Sequence, residues 1–443
     1  MQGSEPPIRL PRGTHVSVVG VGYVGLPLAL ALSGAGYPTS GYDANPARVA
    51  ELQHGIPGVE TVTPDALGSA LASGSFVPTI DPSVLCTSKA IFIAVPTPLG
   101  ADGLPDTSAL ESAVATVADH AGRGVLIILE STSYPGTTRR LLLPKLASAL
   151  GRPGEDFLLA CVPERIDPAS HQRIREIPRL IGGLTPRCGA AASALYSSIV
   201  AECHVVSSPE TAEMAKLLEN SFRNVNIALV SEFWRICERV GVDVYEAIRA
   251  AATKPFGFMP FYPGVGVGGE CIPVDPVYLA WFARSIGEPM SVLEHAISVN
   301  NRMPVDAVDR IEAALRSAGV RLPGAPILVL GVTYKPNVRD TRNSAALRVI
   351  TELQRRGAVV SYHDPLVPEL LVDGQRLAST PFDAELGKGM SAVVVLTAHP
   401  SLDYTLIRAD SPLFLDLAPH PHALPGQALN GAGMISPARE HGT

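Results

Sequence analysis

A run of glycines near the start of the chain constrains the fold more than any other feature. In VSVVGVGYVGLPLALAL, Gly20, Gly22 and Gly25 form G-x-G-x-x-G between an apolar run and a helical pattern. The first glycine permits a tight turn, the second lets a pyrophosphate approach the backbone, and the third lets helix and strand pack closely. The helix N-terminus also attracts phosphate. The segment predicts a dinucleotide-binding turn, although glycines used only for a tight turn give the same pattern.

A carboxylate after the next apolar run indicates which dinucleotide binds. That run ends in GYD, which puts Asp43 18 residues after Gly25. A carboxylate at this position accepts hydrogen bonds from both ribose hydroxyls and repels a 2′-phosphate, which favours NAD over NADP. Arg48 follows nearby and can meet a phosphate, so it weakens this preference.

Alternation of apolar runs with helical patterns predicts the fold class. HVSVVG, KAIFIAV, GVLIILE and DFLLACV indicate buried strands, with helical patterns between them at 23–33 and 108–120. Such alternation is typical of a parallel sheet with helices on both faces. A long helical pattern follows at 208–241, and the alternation resumes after residue 323. We predict an α/β protein with two Rossmann-like parallel-sheet domains joined by a long central helical region. The predicted boundaries are 14–206, 207–305 and 306–430.

Composition excludes several classes of protein. The chain has 443 residues, of which 46% are hydrophobic and 17% charged, with a net charge of −7. This balance argues against disorder and against a nucleic-acid surface, and no apolar run reaches the roughly 18 residues of a membrane helix. The six cysteines are scattered without a C-x-x-C pair. We therefore expect a reduced cytoplasmic enzyme with no metal site, no nucleic-acid partner and no membrane association.

One cysteine lies in an unusual loop. The segment FYPGVGVGGECIPVDP, residues 261–276, surrounds Cys271 with glycines and prolines, which disfavour both a helix and a central strand. A cysteine outside a disulfide is most often a buried structural residue. A glycine-rich backbone instead suits the close approach of a ligand, which makes Cys271 a candidate nucleophile.

Three further segments carry candidate polar groups. In EMAKLLENSF, Lys216 and Asn220 are four residues apart and share one helical face. ESTSYPGT (130–137) and VPERIDP (162–168) follow predicted strands, where ligands bind in open α/β sheets. Taken alone, the lysine fits a solvent-facing residue beside an apolar stripe better than a catalytic group, and each of the two segments fits an ordinary loop as well as a ligand site.

Together these motifs carry a family resemblance. VGVGYVGLPLA, VPTP, ESTSYPGTT, PERIDP, EMAKLLENSFRNVNIAL, GVGVGGECIPVDP and GVTYKPNVRDTRNS occur in this order along the chain. Over about residues 14–418 the chain resembles the UDP-glucose/GDP-mannose dehydrogenase family. ESTSYPGTT and residues 254–281 resemble most the bacterial branch that oxidises UDP-N-acetylhexosamines, especially UDP-N-acetylglucosamine, at C6.

The resemblance implies a reaction and roles for the residues that match. Members oxidise a primary alcohol to a carboxylate with two NAD+ and no metal, through a cysteine thiohemiacetal and then a thioester. Cys271 matches the nucleophile, Asp275 the residue that orients or activates water, and Glu164 the residue that transfers protons during hydrolysis. Lys216, with Asn220, matches the group that stabilises alkoxide and oxyanion states, and Thr132 helps to hold the water.

The resemblance also implies which residues bind each ligand. The NAD-binding residues are Gly20, Gly22, Tyr23, Val24, Gly25, Asp43, Arg48, Thr97, Ser131, Thr132 and Arg342. The UDP-sugar-binding residues are Glu164, Arg165, Lys216, Asn220, Phe261, Tyr262, Gly264, Gly268 and Lys335. The central helical region is expected to bridge the two α/β domains and to form the core of a homodimer.

Two departures from the family pattern bear on the substrate. Glu270 stands where the branch usually has His, and a carboxylate beside the thiol makes thiolate formation harder. Asn343 and Ala346 stand in place of Glu and a nearby Pro.

Three other functions share parts of the pattern. A two-electron hydroxy-acid dehydrogenase does not need Cys271. A nucleotide-sugar epimerase needs a Tyr-x-x-x-Lys pair, but Tyr134 is followed four residues later by Thr138. A catalytically inactive NAD-binding protein should lack Cys271 or Lys216.

Overall fold

The fold was analysed in a computed structural model that describes residues 10–166, 174–383, 385–408, 412–419 and 436–437. The last two residues of VPERIDP and the end of the third predicted domain, 420–430, lie outside the described residues. The described residues divide into two compact units. The first contains the chain up to Glu219 together with Val277–Glu288, and the second contains Asn220–Pro276 and the chain from Pro289 onward.

The N-terminal part of the chain alternates strands and helices. Its elements are β1 (Val16–Val19), α1 (Gly25–Gly34), β2 (Thr39–Tyr42), α2 (Pro46–Gln53), α3 (Pro64–Ala72), β3 (Phe76–Thr79), β4 (Ala90–Ile93), α4 (Ser108–His120), β5 (Leu126–Leu129), α5 (Leu143–Leu150), β6 (Leu158–Cys161), β7 (Arg179–Gly183), α6 (Pro186–Tyr196) and β8 (Cys203–Val206). The four strands predicted from apolar runs are β1, β4, β5 and β6, and every residue in them is buried. Burial on both faces explains why they consist of continuous apolar runs.

These strands form one eight-stranded sheet in the order β3-β2-β1-β4-β5-β6-β7-β8. Neighbouring strands are parallel except β6 and β7, which are antiparallel. The prediction of a parallel sheet is therefore confirmed with one exception. As a result, the N-terminal end of β7 lies at the same edge of the sheet as the C-terminal ends of β5 and β6.

Long helices occupy the central part of the chain. They are α7 (Pro209–Val240), α8 (Val244–Ala252), α9 (Asp275–Ser285) and α10 (Ser291–Ser317). Helix α7 matches the predicted long helix closely. The predicted boundary at 305/306 falls inside α10, which continues through Pro304. A proline inside a helix removes one backbone hydrogen bond, so this continuation was not expected from the sequence.

The C-terminal part repeats the alternation on a smaller scale. Its elements are β9 (Pro326–Leu330), α11 (Ala345–Arg355), β10 (Val359–His363), β11 (Glu369–Val372), β12 (Gln375–Ala378), β13 (Ala392–Val395), α12 (Thr405–Arg408), β14 (Leu413–Asp416) and β15 (Ser436–Pro437). Strands β10-β9-β13-β14 are parallel, β15 pairs antiparallel with β14, and β11 and β12 form a separate hairpin. The α/β class with two mostly parallel sheets and a long helical region is thus confirmed.

Candidate active site

The glycine turn after β1 has the geometry that dinucleotide binding requires. Gly20 has a φ of +87°, and a Cβ there would lie 2.6 Å from the carbonyl oxygen of Ala94. A Cβ at Gly25 would collide with the carbonyl oxygen of Gly20, so this glycine permits close helix packing. A Cβ at Gly22 would meet no atom within 4 Å, which leaves space beside its backbone. Helix α1 begins after Val24 without a side-chain cap. The turn therefore fits a pyrophosphate.

Asp43 is held at the end of β2 beside this turn. Its Oδ2 accepts a hydrogen bond from the N–H of Val21 at 3.0 Å, and its Oδ1 accepts one from Asn45 at 2.9 Å. Arg48 donates to the carbonyls of Val21 and Pro57 at 3.0 and 2.6 Å. These bonds hold the guanidinium against the loops around the turn. Because its donors are already engaged, Arg48 is less available to a 2′-phosphate, so we expect it to weaken the preference for NAD over NADP less than the sequence indicated.

The threonine and serine predicted at the cofactor edge lie together at the ends of β4 and β5. The hydroxyl of Thr97 donates to the carbonyl of Thr132 at 2.6 Å. The hydroxyl of Ser131 donates to the carbonyl of Val95 at 2.7 Å. These bonds tie two neighbouring loops at the C-terminal edge of the sheet, where ligands of open α/β sheets bind.

Helix α7 carries buried polar residues along one face. Glu213 accepts hydrogen bonds from the N–H groups of Gly136 and Thr138 at 2.5 and 2.9 Å, and so holds the ESTSYPGT loop. Lys216 is only 5% exposed, and no hydrogen bond or ion pair joins its side chain to another described residue. The side chain is thus largely shielded while its ammonium has no protein oxygen to pair with, so Lys216 suits a site where a ligand supplies an oxygen.

The next two turns of α7 hold the loop that carries Cys271. Asn220 donates from Nδ2 to Asp275 Oδ2 at 2.5 Å, and Asn224 donates to the carbonyl of Ile272 at 3.1 Å. The N–H of Asp275 donates to the carbonyl of Cys271 at 2.9 Å. Cys271 itself is exposed, whereas Cys161, Cys188 and Cys237 are buried. The loop therefore presents its thiol on a fixed backbone.

The glycines of this loop have a structural reason that differs from the expected one. A Cβ at Gly268 would lie 2.6 Å from the Cβ of Tyr334, and one at Gly269 would lie 3.0 Å from its ring. A Cβ at Gly264 would lie 2.9 Å from Pro419. Gly264 and Gly268 therefore allow close packing of the loop within the second unit. Their predicted contact with the sugar stays a prediction.

Glu270, which replaces the usual histidine, forms an ion pair. Its carboxylate lies 3.1 Å from Nη1 of Arg342, whose Nε and Nη2 also hydrogen-bond Asp340. Arg342 thus offsets the charge of the carboxylate next to Cys271. Asn343 adopts a φ of +51° and donates to the carbonyl of Gly269 at 3.0 Å. Asn tolerates this left-handed conformation better than most residues, which accounts for its presence here.

The remaining predicted substrate residues are distributed between the two units. In the second unit, Phe261 packs edge-on against Phe222, Tyr262 stacks on Tyr245, and Lys335 lies in the turn after β9. In the first unit, Arg165 pairs with Glu219 at 2.7 Å. Glu164 is buried and accepts a hydrogen bond from Arg179 at 2.7 Å.

Sequence reasoning missed several residues that hold these groups. Glu213 and Asn224 share the helical face of Lys216 and Asn220, so their spacing of three, four and four residues along α7 was a usable signal. Glu130 and Arg179 had no such signal, because the antiparallel pairing of β7 brings them together. Among the described residues, no group of three or more histidines, cysteines and carboxylates could hold a metal ion. In the same part of the chain, no helix combines the length and the apolar character that crossing a bilayer demands.

Three family models match most of the chain. The NAD binding domain of the UDP-glucose/GDP-mannose dehydrogenase family matches residues 14–200, its central domain matches 210–302, and its UDP binding domain matches 328–419. The predicted cofactor, NAD, is therefore confirmed.

Individual proteins show the same similarity. The chain is 36% identical over 390 residues to a UDP-N-acetyl-D-mannosamine dehydrogenase from Pyrococcus horikoshii, covering 87% of this chain and 90% of that protein. It is 37% identical over 356 residues to a UDP-N-acetyl-D-glucosamine 6-dehydrogenase from Pseudomonas aeruginosa, covering 80% and 83%. A solved structure of a UDP-D-ManNAc dehydrogenase from Pyrococcus horikoshii superposes with a TM-score of 0.83 at 34% identity, covering 95% of this chain and 99% of that one. The chain thus belongs to the UDP-glucose/GDP-mannose dehydrogenase family and is an NAD-dependent UDP-sugar 6-dehydrogenase.

Proposed function

We propose that the protein oxidises the C6 primary alcohol of a UDP-2-acetamido sugar to the carboxylate, with Cys271 as the nucleophile. The balanced reaction is R–CH₂OH + 2 NAD⁺ + H₂O → R–COO⁻ + 2 NADH + 3 H⁺. The observation that carries the proposal is the exposed thiol of Cys271 on a loop fixed to α7 by Asn224 and by the Asn220–Asp275 bond. A two-electron dehydrogenase has no use for such a thiol.

The first oxidation requires an anion-stabilising cation. NAD⁺, which the turn from Gly20 to Gly25 and Asp43 would hold, would supply the hydride acceptor for each of the two oxidations at C6. Lys216 is buried without a partner among the described residues, so its ammonium can hold the substrate oxygen as the hydroxyl proton leaves. A cation shielded from water stabilises an alkoxide more strongly than one in solvent.

The second oxidation requires covalent attachment. The aldehyde carbon accepts the Sγ of Cys271, its oxygen takes a proton, and a thiohemiacetal forms. Loss of the second hydride and of the hydroxyl proton gives a thioester. Water then attacks the thioester carbonyl, the C–S bond breaks, and its electron pair returns to sulfur. Glu164, Thr132 and Asp275 are the groups proposed to orient this water and to accept its proton.

Resemblance and relatives support a 2-acetamido sugar. Residues 254–281 resemble the N-acetylhexosamine branch, and UDP-N-acetylglucosamine is the substrate we propose first. The Pseudomonas aeruginosa relative carries that sugar in its name, while the Pyrococcus horikoshii relative is named for UDP-N-acetylmannosamine. UDP-N-acetylmannosamine is therefore the second candidate. A pocket that pairs the acetamido group should discriminate by about 10-fold or more against a sugar that lacks it.

We also propose a cytoplasmic homodimer formed through α7. In the second unit, α7 exposes apolar side chains at a repeat of three, four and seven residues: Phe222, Leu229, Phe233, Ile236 and Val240. An apolar stripe of this kind is typical of a helix that packs against another helix.

Stoichiometry tests the mechanism. We expect two NADH and one uronic acid for each UDP-sugar consumed by the wild-type enzyme. We expect Cys271→Ser to lower steady-state turnover at least about 100-fold, because a hydroxyl is a weaker nucleophile than a thiolate and an alkoxide is a poorer leaving group. Cys86→Ser is the matched control, since Cys86 is the other exposed cysteine, and it should turn over normally. One NADH with release of an aldehyde would reject the covalent mechanism.

A panel of UDP-sugars tests the substrate. We expect the highest kcat/KM at saturating NAD for UDP-N-acetylglucosamine, followed by UDP-N-acetylmannosamine, with UDP-glucose well below both. A clear preference for UDP-glucose would contradict the substrate proposal and leave the four-electron mechanism intact.

A further inference from the structure

Three charged residues converge in the interior of the first unit. Glu130 follows β5, Glu164 follows β6, and Arg179 begins β7. Because β7 runs antiparallel to β6, its first residue comes to the edge where β5 and β6 end. Glu130 and Arg179 are fully buried, and Glu164 is 8% exposed.

The contacts within this cluster are unequal. Arg179 Nη2 lies 2.7 Å from Glu164 Oε2, whereas Nη1 lies 3.7 Å from Glu130 Oε2. The other oxygen of Glu164 accepts hydrogen bonds from the backbone N–H groups of Arg165 and Ile166, both at 2.6 Å. Glu130 Oε1 accepts a hydrogen bond from the hydroxyl of Tyr196 on α6. Arg179 therefore forms its close ion pair with Glu164 rather than with Glu130.

The unequal distances from Arg179 to the two carboxyl groups determine which of them carries a charge. One guanidinium can neutralise one carboxylate, and a second buried charge without a partner is costly. Burial raises the pKa of Glu130 to about 8; Arg179 opposes this rise and Glu164 adds to it. Glu130 is thus mostly protonated near pH 7, and Arg179 remains ion-paired with Glu164.

Two thiols lie close enough to interact electrostatically with the cluster. Cys161 on β6 interacts with Glu130, and Cys203 on β8 interacts with Arg179. Burial raises the pKa of both thiols, so neither competes for the guanidinium in the neutral range. The atoms Glu130 Oε2 and Arg179 Nη1 have no hydrogen-bond partner among the described residues. The carboxylate of Glu130 can therefore draw the guanidinium toward itself only when it ionises.

We propose that Arg179 and Glu130 are positioning residues for thioester hydrolysis, which hold Glu164 as an oriented carboxylate that accepts a proton from the attacking water. This inference rests on the proposed role of Glu164. In the step, water gives one proton to Glu164 and its oxygen to the thioester carbon, and Cys271 leaves as a thiolate. The new carboxylic acid then protonates the thiolate, and Glu164 returns its proton to solvent.

The test follows the covalent enzyme in a single turnover. Acid quenching and intact-protein mass measurement quantify the uronyl adduct on Cys271, and NADH absorbance counts the oxidations. We expect Arg179→Lys to form two NADH but to lose the adduct about 10- to 100-fold more slowly, because an ammonium lacks the rigid guanidinium fork that places a donor on Oε2 of Glu164. Unchanged adduct decay in Arg179→Lys would overturn the inference.

The pH profile provides a second readout that does not depend on the arginine variant folding well. In the wild-type enzyme, ionisation of Glu130 should draw Arg179 away from Glu164, so adduct decay should slow above about pH 8. Glu130→Gln should lack this alkaline decline, and an identical decline in both proteins would contradict the role of Glu130.

Glu164→Gln distinguishes failure of this inference from failure of the proposed role of Glu164. If that variant accumulates adduct while Arg179→Lys does not, only the inference fails; if it accumulates none and still turns over, the role of Glu164 fails as well.

Discussion

At the scale of single residues, the buried acid Glu130 has consequences beyond the reaction. In an unfolded chain this carboxyl loses its proton near the ordinary glutamate pKa of 4.5, whereas the folded protein keeps the proton up to about pH 8. Between these values the folded state binds more protons than the unfolded state. The contribution of Glu130 to stability therefore falls as pH rises through this window.

We predict that Glu130→Gln removes this pH dependence. Between about pH 5 and pH 8, the wild-type free energy of unfolding should fall relative to the variant by up to about 1.4 kcal/mol per pH unit. Denaturant unfolding at several pH values measures the difference. Glu352→Gln is the control, because hydrogen bonds from Arg355 and Arg356 lower the pKa of Glu352 to about 2, and its effect lies below this window. A constant difference between wild type and Glu130→Gln would show that Glu130 does not titrate between these pH values.

At the scale of elements, the two α/β parts contain the same turn after their first strands. Gly20 and Gly331 both have a positive φ, +87° and +81°. In each part, the N–H of the residue after the glycine donates to an aspartate that follows the second strand. The acceptor is Asp43 for the turn at Gly20, at 3.0 Å, and Asp364 for the turn at Gly331, at 2.7 Å. Asp364 is buried and also pairs with His399 at 3.1 Å, whereas Asp43 is partly exposed. Asp43 is thus the aspartate that a ribose can reach.

We predict that the turn containing Asp43 sets the choice of cofactor. Because its charge opposes a 2′-phosphate, kcat/KM should favour NAD over NADP by at least about 10-fold. Asp43→Asn should reduce this ratio about 10-fold or more. Asp81→Asn is a matched control, since Asp81 also follows a strand and accepts a backbone N–H, from Ser83 at 2.9 Å. Wild-type preference for NADP would contradict the role of Asp43.

At the scale of the whole molecule, the exposed stripe on α7 predicts how the protein associates. Leu229 and Ile236 are 61% and 58% exposed and lie two turns apart on one face. Solvent exposure of this much apolar surface is unfavourable, so a second copy that covers the stripe gains the hydrophobic free energy of its burial.

We predict that the double variant Leu229→Glu/Ile236→Glu is monomeric at concentrations where the wild-type protein is a dimer. Sedimentation velocity or light scattering measures the mass in solution. Leu371→Glu is the control, because Leu371 is equally exposed on β11 but lies outside the stripe. A wild-type monomer would refute the dimer, and an unchanged dimer in the double variant would place the interface elsewhere.

Much of the fold follows from the sequence because its signals are local. Apolar runs that are buried on both faces gave β1, β4, β5 and β6, and helical periodicity with a Gly stop gave α7. The glycine turn is also local, since its φ and its close contacts lie within one strand–turn–helix unit. The antiparallel β7 and the continuation of α10 through Pro304 were not expected, because strand direction and tolerance of a proline depend on packing.

Sequence alone therefore determined the α/β class, the NAD-binding turn and the motifs that identify the family. Only the tertiary structure decided which charges meet: Arg179 with Glu164 and Glu130, and Arg342 with Glu270. It also decided that the glycines before Cys271 allow close packing on Tyr334. The physical reason is that an ion pair or a close contact depends on distance in space. Strand order and direction set that distance for residues far apart in the chain, whereas periodicity and turn geometry act between neighbours.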